Sequence, residues 1–118
     1  MRTSYDDVKA YVTKDGSEIR ELMHPAVHGN VNQSLAEATI PMSASTLLHK
    51  HAMSEELYHV ISGKGEMVLG VSVFAIAAGD TVCIVAGTEH MVKNTGGVPL
   101  KILCCSSPPY SHDDTILL

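Results

Sequence analysis

From residue 19 onward the chain alternates short β-type runs with turn-forming residues, and a helical period is almost nowhere sustained. The runs are Ile19–Met23, Val31–Ile40, Thr46–His51, Glu56–Ser62, Glu66–Leu69, Val71–Ala77, Thr81–Val85, Glu89–Lys93 and Val98–Cys105. Breakers separate them: His24-Pro25, Pro41, the polar link Ala52–Glu55, Gly63-Lys64-Gly65, Gly70, Gly79-Asp80, Ala86-Gly87-Thr88 and Asn94-Thr95-Gly96-Gly97. Only Tyr5–Val12 offers a helical turn or two. Short strands at this spacing predict an all-β sandwich or barrel, and tight turns predict antiparallel neighbours. The expected fold is a two-sheet jelly-roll barrel over residues 19–107, with an N-terminal arm at 1–18 and a Pro-rich tail at 108–118 docked on the barrel or on a partner. An immunoglobulin-like sandwich is the competing layout, but the chain has no Trp and no suitable cysteine pair.

Composition narrows the class. The 118 residues make one domain, and 45% hydrophobic residues suffice for a core. A net charge of −5 with eight Lys and Arg argues against nucleic acid and anionic membrane as partners. The longest apolar run, Val71–Ala78, is strand-sized, and Met1–Lys14 lacks an apolar signal core. A cytoplasmic protein is expected. Cys83, Cys104 and Cys105 do not form a disulfide framework. Cys104 and Cys105 are strand neighbours with side chains on opposite faces, so all three are read as reduced core thiols.

One constellation carries chemistry. His49 and His51, two apart on a strand, face the same side and can share one ion. Glu56 opens the next strand after a short turn, with Glu55 beside it, and His90 opens a later strand. Three imidazoles and a carboxylate suit one divalent transition metal: Mn, Fe, Co, Ni, Cu or Zn. An isolated H-x-H pair is as often a surface feature, so the weight rests on the spacing of the whole set.

That spacing resembles a known family. His49-x-His51, four residues, Glu56, six residues and Gly63 resemble the first motif of the cupin superfamily. Gly79, five residues, Val85-Ala86-Gly87, two residues, His90, three residues and Asn94 resemble the second, with Val85 where the family usually has Pro. Fifteen residues lie between Gly63 and Gly79, as in compact single-domain members. The resemblance implies a double-stranded β-helix barrel and a metal on His49, His51, Glu56 and His90. It also selects Glu56 over Glu55. Strand parity then turns Tyr58 and Val60 toward the metal and His59 and Ile61 outward.

Four protein ligands leave one or two positions open, as catalysis requires. Those open positions favour a metal-dependent enzyme acting on a small oxygen-rich metabolite by isomerase, lyase or dioxygenase chemistry, although the resemblance itself covers catalytic and non-catalytic proteins alike. The alternative is a non-catalytic small-molecule-binding or sensor module, against which the lack of an attached effector domain weighs mildly. The inner wall is expected from Leu47, Tyr58, Val92, Leu100, Ile102 and Cys104, with Gln33 as a polar addition. Tyr58 is either a core aromatic or a substrate-orienting or proton-shuttling phenol. Met42, Met53, Met67 and Met91 are assigned to packing. His24, His28 and His112 are assigned to surface or interface. No Lys or Arg is expected to face inward, so the ligand is expected to be neutral or singly anionic and not a phosphorylated sugar. Exposed strand edges, Ile61, Leu103 and the Ile116–Leu118 end predict a homodimer.

Overall fold

In a computed structural model describing residues 1–118, eleven strands form two antiparallel sheets. The strands are β1 (Tyr11–Val12), β2 (Glu18–Met23), β3 (Ser34–Ile40), β4 (His49–His51), β5 (Glu55–Ser62), β6 (Lys64–Leu69), β7 (Ser72–Ala77), β8 (Thr81–Ile84), β9 (His90–Asn94), β10 (Leu100–Ser107) and β11 (Thr115–Leu117). A single helical turn, α1 (Pro25–His28), follows β2. One sheet runs β1-β2-β3-β10-β5-β8, the other β11-β4-β9-β6-β7. No helix is long and apolar enough to cross a membrane.

Period-two alternation places the core and grades it along the barrel. On β5, Glu56, Tyr58 and Val60 are buried while Leu57, His59 and Ile61 are exposed. On β10 the buried set is Leu100, Ile102, Cys104 and Ser106. Register stacks these into layers. Ser106 pairs with both Ser34 and Glu56, Cys104 with Ala36 and Tyr58, Ile102 with Ala38 and Val60, and Leu100 with Ile40. The inward face thus passes from polar at one end to apolar at the other. The core is completed by Met67, which pairs with Val92, by Ile76 near the apolar end, and by Ile84 opposite Glu56. At the polar end, Ala36 and Ala38 leave room that larger side chains would fill.

The motif residues that bind nothing hold turns and close approaches. Gly63 has a φ of 87°, a conformation few other residues adopt. A Cβ on Gly65 would lie 2.5 Å from the Lys93 carbonyl, so β6 and β9 approach this closely only with glycine there. Asn94 donates Nδ2 hydrogen bonds to the carbonyls of Ile40 and Val98, and accepts one from Gly96 N–H. Val85, at the position usually Pro, is exposed, and the turn closes through Thr88 N–H to the Val85 carbonyl at 3.2 Å.

Several expectations are corrected. A helical turn falls where expected, at Tyr5–Asp7, but a second one, not expected from the sequence, forms at Pro25–His28 behind the His24 N-cap. Strand geometry begins at His49, not Thr46, so Leu47 is exposed, and Thr46 takes the inward position by accepting a hydrogen bond from Val92 N–H. Gln33 is exposed because β3 begins at Ser34, which is buried. Met42 and Met53 are exposed on turns, leaving Met67 as the fully buried methionine. Cys83 is exposed, so only Cys104 is a buried thiol; all three cysteines are free.

Candidate metal centre

His49, His51 and His90 come from the five-stranded sheet, where His49 on β4 pairs directly with His90 on β9. Each imidazole offers a nitrogen within 4.8 Å of the other two, and all three are buried. Glu56 reaches them from the facing sheet: its Oε1 lies 2.6 Å from His51 Nε2 and 3.5 Å from His90 Nε2. Glu55 is exposed. His59 points outward and bonds Thr81.

Hydrogen bonds at the other ring nitrogen fix the tautomers. Nδ1 of His49 faces the Leu47 carbonyl at 2.7 Å, and Nδ1 of His90 faces the Thr88 carbonyl at 2.9 Å. A carbonyl only accepts, so both Nδ1 atoms carry the proton. Nδ1 of His51 faces Thr115 Oγ1 at 3.1 Å, and that hydroxyl already donates to the Ser111 carbonyl. Thr115 therefore accepts, and His51 Nδ1 also carries its proton. In the neutral rings the Nε2 lone pairs are left free toward one another, the arrangement in which imidazoles ligate metal.

The remaining atoms match a cation. Glu56 Oε1 and His90 Nε2 are buried without a well-formed hydrogen bond, which is costly unless something satisfies them. Ser106 Oγ donates to Glu56 Oε2 at 3.2 Å and leaves Oε1 aimed at the histidines. With Nδ1 protonated, the 2.6 Å approach of His51 Nε2 to Glu56 Oε1 sets two acceptors together unless a metal or a second proton intervenes. The three histidines form a cluster that could bind a metal ion, with the Glu56 carboxylate beside His51 and His90.

Titration behaviour follows from the same contacts. Burial and the neighbouring His90 lower the His49 pKa, favouring the neutral ring that ligates. Burial alone would lower His51 as well, but the hydrogen bond and charge of Glu56 outweigh it and raise that pKa. Burial would raise Glu56; His51 and His90 outweigh it and hold the carboxyl down to about 2.

The centre opens into a cavity of about 40 Å³. Tyr58, Val92, Ile102 and Cys104 line it, and none of the lining residues is Lys or Arg. Tyr58 packs edge-on to His90 with ring centroids 6.0 Å apart. Burial pushes both the Tyr58 phenol and the Cys104 thiol well above their ordinary pKa values, so each stays protonated.

Two contributors lie outside the motifs. The terminal segment supplies Thr115, and β11 pairs antiparallel with β4, Thr115 opposite His51 and Leu117 opposite His49. Asp114 accepts from the N–H groups of Met53 and Ser54, tying the same segment to the link after the H-x-H pair. The residues before β2 supply Thr13, Asp15 and Ser17, which alternate inward with exposed Lys14, Gly16 and Glu18. This alternation is period two but polar, so hydrophobic periodicity does not reveal it.

Comparison with known proteins agrees with this fold. A family model described as "Cupin domain" matches residues 36–106. An uncharacterized protein of Methanocaldococcus jannaschii is 54% identical over 118 residues, covering 100% of this chain and 94% of its own length. Among solved structures, the polyketide cyclase RemF from Streptomyces resistomycificus superposes with a TM-score of 0.83 at 21% identity, covering 100% of this chain and 84% of its own. The oxalate decarboxylase from Lactobacillus farciminis superposes with a TM-score of 0.82 at 24% identity over 96% of this chain, which spans 34% of that longer protein.

Proposed function

Because the chain belongs to the cupin family, we propose that it is a metal-dependent enzyme, its ion held by His49, His51, Glu56 and His90, acting on a small oxygen-rich molecule. The observation that carries this reading is the tautomer set: three buried imidazoles with Nδ1 hydrogen-bonded and Nε2 turned inward, with Glu56 Oε1 2.6 Å from His51 Nε2 and 3.5 Å from His90 Nε2. A divalent ion there supplies Lewis-acid or oxygen-activating chemistry at its open positions.

The chain's own residues restrict what enters. A cavity of about 40 Å³ admits a few heavy atoms beside the centre. Val92, Ile102 and Ala38 give an apolar wall, while the hydroxyls of Thr13, Ser17 and Ser34 give a polar rim. The lining carries three carboxylates, Asp15, Glu21 and Glu56, and no Lys or Arg. A dianionic phosphate would be desolvated there without partners for its outer oxygens. Tyr58, kept protonated, acts as a hydrogen-bond donor that orients an oxygen of the ligand and not as a phenolate base. The likeness to an oxalate decarboxylase and a polyketide cyclase shows the shared fold and selects neither substrate nor reaction.

The test is metal analysis of protein from its native host, then screening of small hydroxy- and keto-acids and their neutral analogues with each metal restored. Turnover that disappears with chelator and returns with one metal is expected. Tight, saturable binding without turnover under every metal would favour the non-catalytic ligand-binding alternative.

A further inference from the structure

A second carboxylate is built toward the histidine cluster from the opposite end of the chain. Asp15 lies in the turn between β1 and β2, which closes through Thr13 N–H to the Ser17 carbonyl and Gly16 N–H to the Thr13 carbonyl. Gly16 has a φ of 92°, so the turn needs a residue free to adopt that conformation. The Asp15 carbonyl accepts from Leu47 N–H at 2.7 Å, fixing the turn against the chain entering the H-x-H strand.

The side chain is held as firmly. Oδ1 accepts from Ser17 N–H at 2.9 Å and from Ser17 Oγ at 2.7 Å. Oδ2 is left 3.5 Å from His49 Nε2, and Asp15 is buried. His49 Nδ1 donates to the Leu47 carbonyl, so Nε2 presents a lone pair to a carboxylate oxygen. Two acceptors face each other here just as they do at His51 and Glu56. Two ligands about 2.1 Å from one ion and cis to each other stand roughly 3.0–3.5 Å apart, which the 3.5 Å separation of Oδ2 from Nε2 matches. Glu56 approaches His51 and His90, whereas Asp15 approaches His49, so the two carboxylates address different members of the triad.

We infer that Asp15 is a fifth protein ligand, its Oδ2 occupying one of the positions that the four motif residues leave open on the ion. This rests on the metal reading proposed above. With both carboxylates bound, a divalent ion is formally neutralised, and one position of a six-coordinate ion remains for an incoming oxygen. A neutral donor enters such a centre without building net negative charge, and a chelating anion must displace Asp15.

The experiment compares wild type, Asp15→Ala and Asp15→Asn as full-length protein, stripped with chelator and reloaded with Co²⁺. Affinity is read by competition with a chromophoric chelator, coordination by the visible Co²⁺ absorption, and folding by circular dichroism of the metal-free forms. The side-chain amide in Asp15→Asn can still accept from Ser17 through its carbonyl oxygen, so this variant keeps the turn if Asp15→Ala loosens it. Affinity weaker by tenfold or more in both variants, with a changed Co²⁺ spectrum and an unchanged fold, is expected. Wild-type binding with both variants within twofold and spectrally identical would overturn the ligand assignment while leaving the four-residue centre standing. Failure of the wild type to bind Co²⁺, Zn²⁺ or Mn²⁺ would overturn both.

Discussion

Replacing His51 with Ala in the metal-free protein removes the partner that keeps Glu56 ionised in a buried site, and the cost of doing so depends on pH in a defined way. Glu56 is lowered from 4.5 to about 2, so its contribution to stability is present above its unfolded value and lost as pH falls through about 2. His51 is raised above 6.5, so its contribution is full below that value and lost as pH rises through its folded pKa. The pair stabilises the fold most between these limits, near pH 5.5. A drop of that size on Glu56 corresponds to about 3 kcal/mol at most, counted once for the pair. In a domain this small, each kcal/mol moves the midpoint by roughly 3–6 °C, so a loss of up to roughly 10–18 °C is expected at pH 5.5. Urea or thermal unfolding of chelator-treated wild type and His51→Ala at pH 3, 5.5 and 8.5 measures it. The difference should peak at pH 5.5 and shrink on both sides, with the sheet circular dichroism of the variant retained at room temperature and metal binding lost. A difference independent of pH would refute the ion-pair reasoning. Collapse of the fold at room temperature would show that the cluster is structural.

Thr115→Val keeps the shape of β11 but removes the acceptor of His51 Nδ1–H; metal affinity should fall about ten- to hundredfold, measured by chelator competition. We propose that the protein forms a C2 homodimer burying on the order of 1,200 Å² or more, because Ile61 is exposed on β5 and Ile116, Leu117 and Leu118 are exposed on and after the open edge strand β11; sedimentation at micromolar concentration should show the dimer, and a stable monomer would contradict it. Calorimetric titration with matched sugars and sugar phosphates should show no preference for the phosphorylated partner. A clear preference, lost on replacing Lys50 or Lys93, would mean that one of these side chains reaches the ligand.

Much of the fold is legible in the sequence because period-two patterning and glycine turns act locally. Glu56, Tyr58 and Val60 on one face, with Leu57, His59 and Ile61 on the other, follow from alternation alone. The four proposed ligands come from motif spacing, which encodes two strands of one sheet and one of the facing sheet brought to a single end. Other contributors are hidden for physical reasons. Parity points Leu47 inward, but the strand does not begin until His49, and parity holds only within a strand. Asp15 and Thr115 sit in polar stretches with no hydrophobic period. Their roles depend on long-range pairing: the 13–17 turn against Leu47, and β11 against β4. The terminal Ile116-Leu117-Leu118 is legible as a segment unsuited to water, but not as a strand that positions the histidine pair.

The most direct measurement is the structure of metal-loaded protein with the ion located by its anomalous scattering. One ion bound by Nε2 of His49, His51 and His90 and a carboxylate oxygen of Glu56, each at about 2.0–2.3 Å, is expected. An ion carrying Glu55 in place of Glu56, or leaving His90 outside its bonding distance, would contradict the account.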